Sequence, residues 1–359
     1  VTTVSGEPEI RFERRGGLVV VTLNRPRALN ALSLAMCKAL DAGLISWRAD
    51  PEVQAALIKG TGERAFCAGG DIRNLYETLT AEGVEAAAAF YAIEYPMNAR
   101  LHHFPKPYIA LLDGITMGGG VGVSVHGSHR VVTERTVFAM PETTIGFFPD
   151  VGATYVLPRL PGRLGWHLGL TSARLGAADC RATGIGTHFI PSARLEALER
   201  ALAEADLSND AFAAVDQVLE RFHSEPGKAT LPTMRVLIDH CYGRPDLEEV
   251  LEALAAEPSG WGAAQLEQIR SKSPTSLAVT FRQLCIGATL DFDAAMRLEY
   301  RLVHRFLAGH DFREGIRALI VDKDNRPRWR PELLAEVSPG AVDAYFAPLP
   351  QGDLMLEIS

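Results

Sequence analysis

Apolar positions along this chain alternate between two rhythms, one suited to strands and one to helices. Residues 9–23, EIRFERRGGLVVVTL, hold two β-rich runs punctuated by Gly16 and Gly17 and predict a hairpin. From Ser33 to Arg48 the apolar residues Leu34, Cys37, Leu40, Leu44 and Trp47 recur at helical spacing, with Ser33 as the N-cap. The run VQAALIKGTG predicts a short buried strand ending at glycines. An Ala-rich helical region follows from about Ile72 to His103. PYIALLDG then reads as strand, GITMGGGVGVSVHG as a glycine-rich turn entering a helix, and HRVVTERTVFAMPE as two short strands.

Repeated strand–turn–helix segments predict an α/β layered domain. From Arg194 onward strand-like runs become rare. Residues 194–223, 245–257, 275–287 and 291–308 read as helices. The composition change predicts a boundary near residue 190, dividing a core of 1–190 from a mainly helical region of 191–359. A length of 359 residues also exceeds the roughly 250–300 over which a single core usually grows.

Composition narrows the function classes. The net charge of −8 argues against a general nucleic-acid binder. No apolar run reaches the ~18 residues of a spanning helix, so no membrane partner is expected. Five widely spaced cysteines contain no C-x-x-C pair and suggest neither a disulfide framework nor a zinc site. With no signal-like segment at the start, the expected setting is a bacterial cytosol, or an organelle if the chain is a mature imported one.

Two glycine-bearing turns carry candidate chemistry: FCAGGD, Phe66 to Asp71, and GITMGGGVG, Gly114 to Gly122. Each follows a predicted strand and precedes a helix. Such turns either permit tight packing or present backbone N–H groups to a ligand; two facing each other would form an oxyanion hole. Neither matches a dinucleotide or phosphate-loop fingerprint. A third element, AMPETTIGFFPDVG, places Glu142 and Asp150 each after a proline, among Met140, Ile145, Phe147, Phe148 and Val151. The two acids are either unrelated loop carboxylates or a pair whose apolar setting raises their pKa toward general-base use.

Other motifs lead nowhere. GVSVHG has His126 where a nucleophile elbow needs glycine, so Ser124 reads as a packed helix residue. His102-His103 lacks metal-ligand spacing. Arg25, Arg27, Lys59, Arg64, Arg73 and Lys106 scatter near the turns, as phosphate contacts or as solvated charges.

Taken together, NRPRALNALS, FCAGGDIR, GITMGGGVGVSVHG and FAMPETTIGFFPDVGATYVLPRL resemble the enoyl-CoA hydratase/isomerase (crotonase) superfamily. SPTSLAVTFRQL, LEYRLVHRFL and DFREGIRALIVDKDNRPRWRP extend the resemblance to its branch of 3-hydroxyacyl-CoA thioester hydrolases. The resemblance implies an α/β fold, a crotonase-type spiral of stacked β-β-α turns with a helical C-terminal region, and an acyl-CoA substrate. It implies oxyanion donors at the backbone N–H of Gly70 and Gly119. It also implies CoA binding around Arg27, Ala28, Leu29 and Ala68, with Asp71 and Ile72 shaping the pocket, Asp71 having a purely structural role as its alternative. Superfamily hydratases carry a second glutamate just after the GGG turn, where this chain has Gly122; the hydrolase branch shares that loss and adds an aspartate at the position of Asp150. The implied reaction is hydrolysis of a short 3-hydroxyacyl-CoA such as 3-hydroxyisobutyryl-CoA, in valine catabolism. Glu142 would be base or nucleophile, and Asp150 would hold the 3-hydroxyl or assist the leaving thiolate. The alternatives are a hydratase or isomerase on the same fold and a non-catalytic acyl-CoA-binding protein. No metal and no cofactor beyond substrate CoA is expected, and a homo-oligomer is compatible with the resemblance.

Overall fold

In the computed structural model, residues 7–356 are described. The predicted hairpin is present as β1 (Ile10–Arg15) and β2 (Leu18–Leu23), in register from Ile10 opposite Leu23 to Arg15 opposite Leu18. β1 is an edge strand whose exposed positions include Arg11, Glu13 and Arg14, charges that discourage pairing with another chain.

Three strand pairs follow: β3 (Ala55–Gly60) with β4 (Ala65–Cys67), β5 (Tyr108–Leu112) with β6 (Ile115–Met117), and β7 (His129–Val132) with β8 (Val137–Ala139). β9 (His188–Phe189) completes the set. The first strand of each pair joins a six-stranded sheet of order β1-β2-β3-β5-β7-β9; the second joins a three-stranded sheet, β4-β6-β8. Each pair runs on into a helix or helical turn: Ile72–Ala81, Gly119–Gly122 and Glu142–Ile145. This is the repeating β-β-α spiral that the resemblance implies.

From β2 to β9 the large sheet is parallel. Its strands are near-continuous apolar runs, as expected of a parallel sheet covered on both faces. On one face Leu18, Val20, Leu57, Ile109 and Leu111 pack with Leu198, Leu202, Val215 and Leu219 from the helices Leu195–Glu204 and Ala211–Phe222. The helix Leu34–Ala49 buries Met36, Cys37, Leu40, Leu44 and Trp47, and the Ser33 hydroxyl caps it by accepting the Met36 N–H.

Two compact units result. One comprises the described residues up to 70 with 100–138 and 175–229; the other comprises 71–99, 139–174 and 230 onward. The division therefore differs from a single boundary near residue 190. The reason is physical: the helices of 195–222 bury their apolar stripe on the sheet, while residues 71–99 and 139–174 belong with the C-terminal helices. Those C-terminal helices include Leu231–Tyr242, Leu247–Ala256, Trp261–Arg270, Pro274–Gly287, Phe292–Ala308 and Asp311–Ile316.

The predicted helical region of about Ile72 to His103 is present. It is two helices, Ile72–Ala81 and Val84–His102. Gly83, at φ +92°, makes the break, whereas Pro96 lies inside the second helix.

Candidate active site

In the sheet-bearing unit the two glycine turns lie against each other. The nearest atoms to a Cβ placed on Gly69 would be Met117 O at 3.6 Å and Gly119 N at 3.8 Å. A Cβ on Gly120 would sit 2.2 Å from Cys67 O, so only glycine allows this approach. Gly119 opens the helix Gly119–Gly122, a position whose amide N–H has no intrahelical acceptor. Gly70 bridges Leu32 in parallel fashion, and the bond that the Leu32 N–H makes there ends on Gly69 O at 2.8 Å.

The NRPRALN loop is tied to the same turn. Arg27 and Ala28 are exposed in the helical turn Pro26–Ala28, and Leu29, in the left-handed region, accepts the Ala68 N–H at 3.0 Å. Buried Asn30 braces the loop: its Nδ2 donates to Thr61 O and Ala65 O, both at 2.9 Å, and its Oδ1 accepts the Arg25 N–H at 3.0 Å. Leu29 and Ala68 are thus hydrogen-bonded to each other, Gly70 bridges Leu32 just after the same loop, and Gly119 lies against the glycine turn.

Asp71 and Ile72 start the other unit. Asp71 caps the helix Ile72–Ala81 by accepting the Asn74 N–H at 3.2 Å, which is the structural role held as its alternative.

The acids lie in that second unit. Glu142 begins the helical turn Glu142–Ile145, and both it and Asp150 are buried. The Asp150 Oδ2 accepts a 2.9 Å hydrogen bond from the Tyr95 hydroxyl. Phe147 stacks with Tyr91 at 5.9 Å and meets Phe148 and Phe312, each at 4.6 Å, so the acid-bearing segment carries an aromatic cluster. Two further buried acids join the pair, Glu94 and Glu299. Among the described residues, Glu142 Oε2 and Glu94 Oε1 have no hydrogen-bond partner.

Electrostatics follow from this crowding. Burial, then the charge of Asp150, pushes Glu142 well above the usual carboxylate range. Burial pushes Asp150 up to about 7, against the Tyr95 hydrogen bond, which favours the charged form. Glu94 rises through burial and the charges of Asp150 and Glu299. Glu299 rises to about 8 through burial and Asp150, opposed by N–H bonds from Gly152 and Thr154. Carboxyls raised toward or past neutrality in this way, Asp150 and Glu299 above all, suit proton exchange at physiological pH.

Sequence reasoning missed Glu94, Tyr95 and Glu299. The signal for the first two is Tyr91, Glu94, Tyr95 and Asn98 at i, i+3, i+4 and i+7, a polar stripe inside an Ala-rich helix. For Glu299 it is an acid set among Ala295, Met296, Leu302 and Val303 on a buried helix face. Among the described residues no group of three or more His, Cys, Asp or Glu side chains is arranged to hold a metal ion. No helix among them is long and apolar enough to cross a membrane.

Spiral, glycine turns and buried acid pair together define a crotonase-type protein. The sequence profile of the enoyl-CoA hydratase/isomerase family matches residues 18–346, and the chain belongs to that family. It is 45% identical to the 3-hydroxyisobutyryl-CoA hydrolase, mitochondrial, of Danio rerio, over 97% of this chain and 92% of that protein. With the Homo sapiens protein of the same name the identity is 43%, over 96% and 90%. Among solved structures, a carnitinyl-CoA dehydratase from Mycobacterium thermoresistibile superposes with a TM-score of 0.91 at 39% identity, covering 98% of this chain and 100% of that one. An enoyl-CoA hydratase from Rhodobacter sphaeroides 2.4.1 superposes with a TM-score of 0.89 at 38% identity, covering 97% and 100%.

Proposed function

We propose that this chain hydrolyses the thioester of a short 3-hydroxyacyl-CoA, releasing 3-hydroxyisobutyrate and CoA from 3-hydroxyisobutyryl-CoA, a step of valine catabolism. 3-Hydroxypropionyl-CoA is the second substrate of this reading. The observation that carries it is the buried pair Glu142 and Asp150 in a chain with Gly122 at the position of a hydratase's other glutamate. Near full-length identity of 43–45% to relatives named 3-hydroxyisobutyryl-CoA hydrolase supports the same choice.

The roles follow from what the reaction demands. The amides of Gly70 and Gly119 polarise the thioester carbonyl and hold the oxyanion; losing one such donor typically costs about 3 kcal/mol of transition-state stabilisation. Glu142 takes a proton from water as the water oxygen adds to the carbonyl carbon. In the other version its own oxygen adds, giving an anhydride that water opens. In either version the C–S bond breaks as the tetrahedral adduct collapses to a carbonyl, which in the second version is the step that forms the anhydride before water opens it, and the expelled thiolate regains a proton. Asp150 holds the 3-hydroxyl or passes that proton. CoA binding, assigned to the loop of Arg27, Ala28 and Leu29 with Ala68, Asp71 and Ile72 at the pocket, supplies attachment remote from the reacting carbon. Water is the only co-reactant, so the balance needs no metal or redox cofactor.

Similarity to an enoyl-CoA hydratase and a carnitinyl-CoA dehydratase favours a second reading, addition or removal of water at a C=C bond. One experiment separates them: free-thiol release across 3-hydroxyisobutyryl-, 3-hydroxypropionyl-, acetyl- and crotonyl-CoA, with the enoyl absorbance of crotonyl-CoA followed in parallel. Thiol release fastest on the 3-hydroxyacyl esters is the expected result. Loss of enoyl absorbance without thiol release would establish the hydratase, and no turnover of any ester would leave a binding protein.

A further inference from the structure

SPTSLAVTFRQL and LEYRLVHRFL extend the resemblance into the C-terminal helices, yet the proposed reaction uses no residue from either. In the structure both reach one target. Glu299, on the helix Phe292–Ala308, is buried; its Oε2 accepts the Gly152 N–H at 2.8 Å and its Oε1 the Thr154 N–H at 2.9 Å. Gln283, on the helix Pro274–Gly287, is buried as well; its Nε2 donates to Pro149 O at 2.6 Å and to Thr154 Oγ1 at 2.7 Å. The contacts fall on residues 149, 152 and 154 and so bracket Asp150.

This stretch cannot hold its shape unaided. Val151 at φ +52° and Gly152 at φ +90° are both left-handed, and for β-branched Val151 that conformation is an outlier. Such backbone persists where its surroundings over-determine it, and the clamp from the two helices does so. A carboxyl group suits the task because each of its oxygens accepts one N–H, leaving neither amide orphaned in an apolar interior.

We infer that Glu299 and Gln283 are the positioning residues of Asp150. They hold its loop so that the carboxylate meets the 3-hydroxyl of the acyl group, and selectivity for 3-hydroxyacyl over plain acyl chains is thereby set from the C-terminal helices. The inference rests on the thioesterase reading above and deepens it.

The test measures free-CoA release from 3-hydroxyisobutyryl-CoA and from isobutyryl-CoA, which lacks the hydroxyl. The proteins are the wild type, Asp150→Asn, Glu299→Gln, Gln283→Met, and the last two each combined with Asp150→Asn. Glu299→Gln and Gln283→Met are expected to lower kcat/KM at least tenfold on the hydroxylated ester and less than threefold on the plain one. Added to Asp150→Asn, each is expected to cost less than a further twofold, because residues acting through one group are not additive. Equal losses on both esters, full multiplication with Asp150→Asn, or wild-type selectivity would overturn the inference. Should Glu299→Gln not fold, Gln283→Met carries the same comparison. A wild type that releases no CoA from either ester refutes the thioesterase reading instead. The positioning claim is then decided by a crystal structure of Glu299→Gln or Gln283→Met: a lost Tyr95–Asp150 hydrogen bond supports it, and an unchanged loop overturns it.

Discussion

The Tyr95 hydroxyl donates to Asp150 Oδ2 at 2.9 Å, and both side chains are buried. The bond favours ionised Asp150 against the burial that opposes it. Tyr95→Phe removes the donor and leaves the ring. A hydrogen bond to a charged group is worth about 1.5–3 kcal/mol, so Asp150 should titrate roughly one to two pH units higher. The acid limb of the kcat/KM profile on 3-hydroxyisobutyryl-CoA is expected to move to higher pH by about that amount. An unmoved limb would separate Asp150 from the group that controls the rate.

Much of this arrangement is legible in sequence because local rules govern it. The Ser33 cap, the hairpin around Gly16-Gly17 and the strand pairs follow from spacing and turn chemistry. Between Gly83 and Pro96 the local rule is ambiguous. Either residue can end a helix, and only packing decides that Pro96 is retained while Gly83 breaks. Glu94 and Glu299 carry only a weak local signal for a related reason. An acid on a helix is normally solvated, so the stripe around Glu94 and the apolar neighbours of Glu299 gain their meaning from the tertiary arrangement, in which these two face buried neighbours. A boundary near residue 190 follows composition, whereas the compact units follow contacts distant in sequence.

Raised carboxyls make stability depend on pH in a definite direction. A group whose native pKa exceeds its unfolded value contributes fully below the unfolded value, near 4, and that contribution is lost as pH rises through the native one. For Asp150 the native value is about 7 and for Glu299 about 8, which sets the window at pH 6.5 to 8. The buried histidines His129, His167, His188 and His304 are lowered by burial, so their contributions change below that window. Lys272, lowered by burial to about 8, acts mainly above it. Urea unfolding should therefore show stability falling between pH 6.5 and 8, by about 2 kcal/mol from Asp150 and Glu299, with the raised Glu142 and Glu94 adding to the fall. A flat or rising profile there would mean these acids are not raised in the native protein.

Contact between the glycine turns makes Gly120 a sharp probe of the candidate oxyanion hole. In Gly120→Ala the new methyl would meet Cys67 O at 2.2 Å, closer than any side chain tolerates, so the turns must move apart. Overpacking of this kind costs about 1–3 kcal/mol, and a donor displaced from the oxyanion costs roughly 10²- to 10³-fold in kcat. Thermal unfolding should show a modest fall, while kcat falls far more than KM changes. A variant that keeps wild-type kcat despite the lower melting temperature would detach the turn from catalysis.

Glu142→Gln isolates the proposed chemistry from binding. The two side chains have nearly equal volume, and the CoA-binding residues proposed here do not include position 142, so acyl-CoA affinity should be within a few-fold of wild type. Removing a group that exchanges a proton in the transition state typically costs 10²- to 10⁴-fold in rate. Stability should rise or stay level at pH 8, because an amide at this buried position carries no charge to desolvate, whereas the native acid is held well above its ordinary range. Isothermal titration with a non-hydrolysable acyl-CoA analogue, thiol-release kinetics and urea unfolding measure the three quantities on one preparation. Near-wild-type thiol release from a folded Glu142→Gln protein would remove Glu142 from the mechanism, and Asp150 would then be the remaining carboxyl of the pair able to activate water.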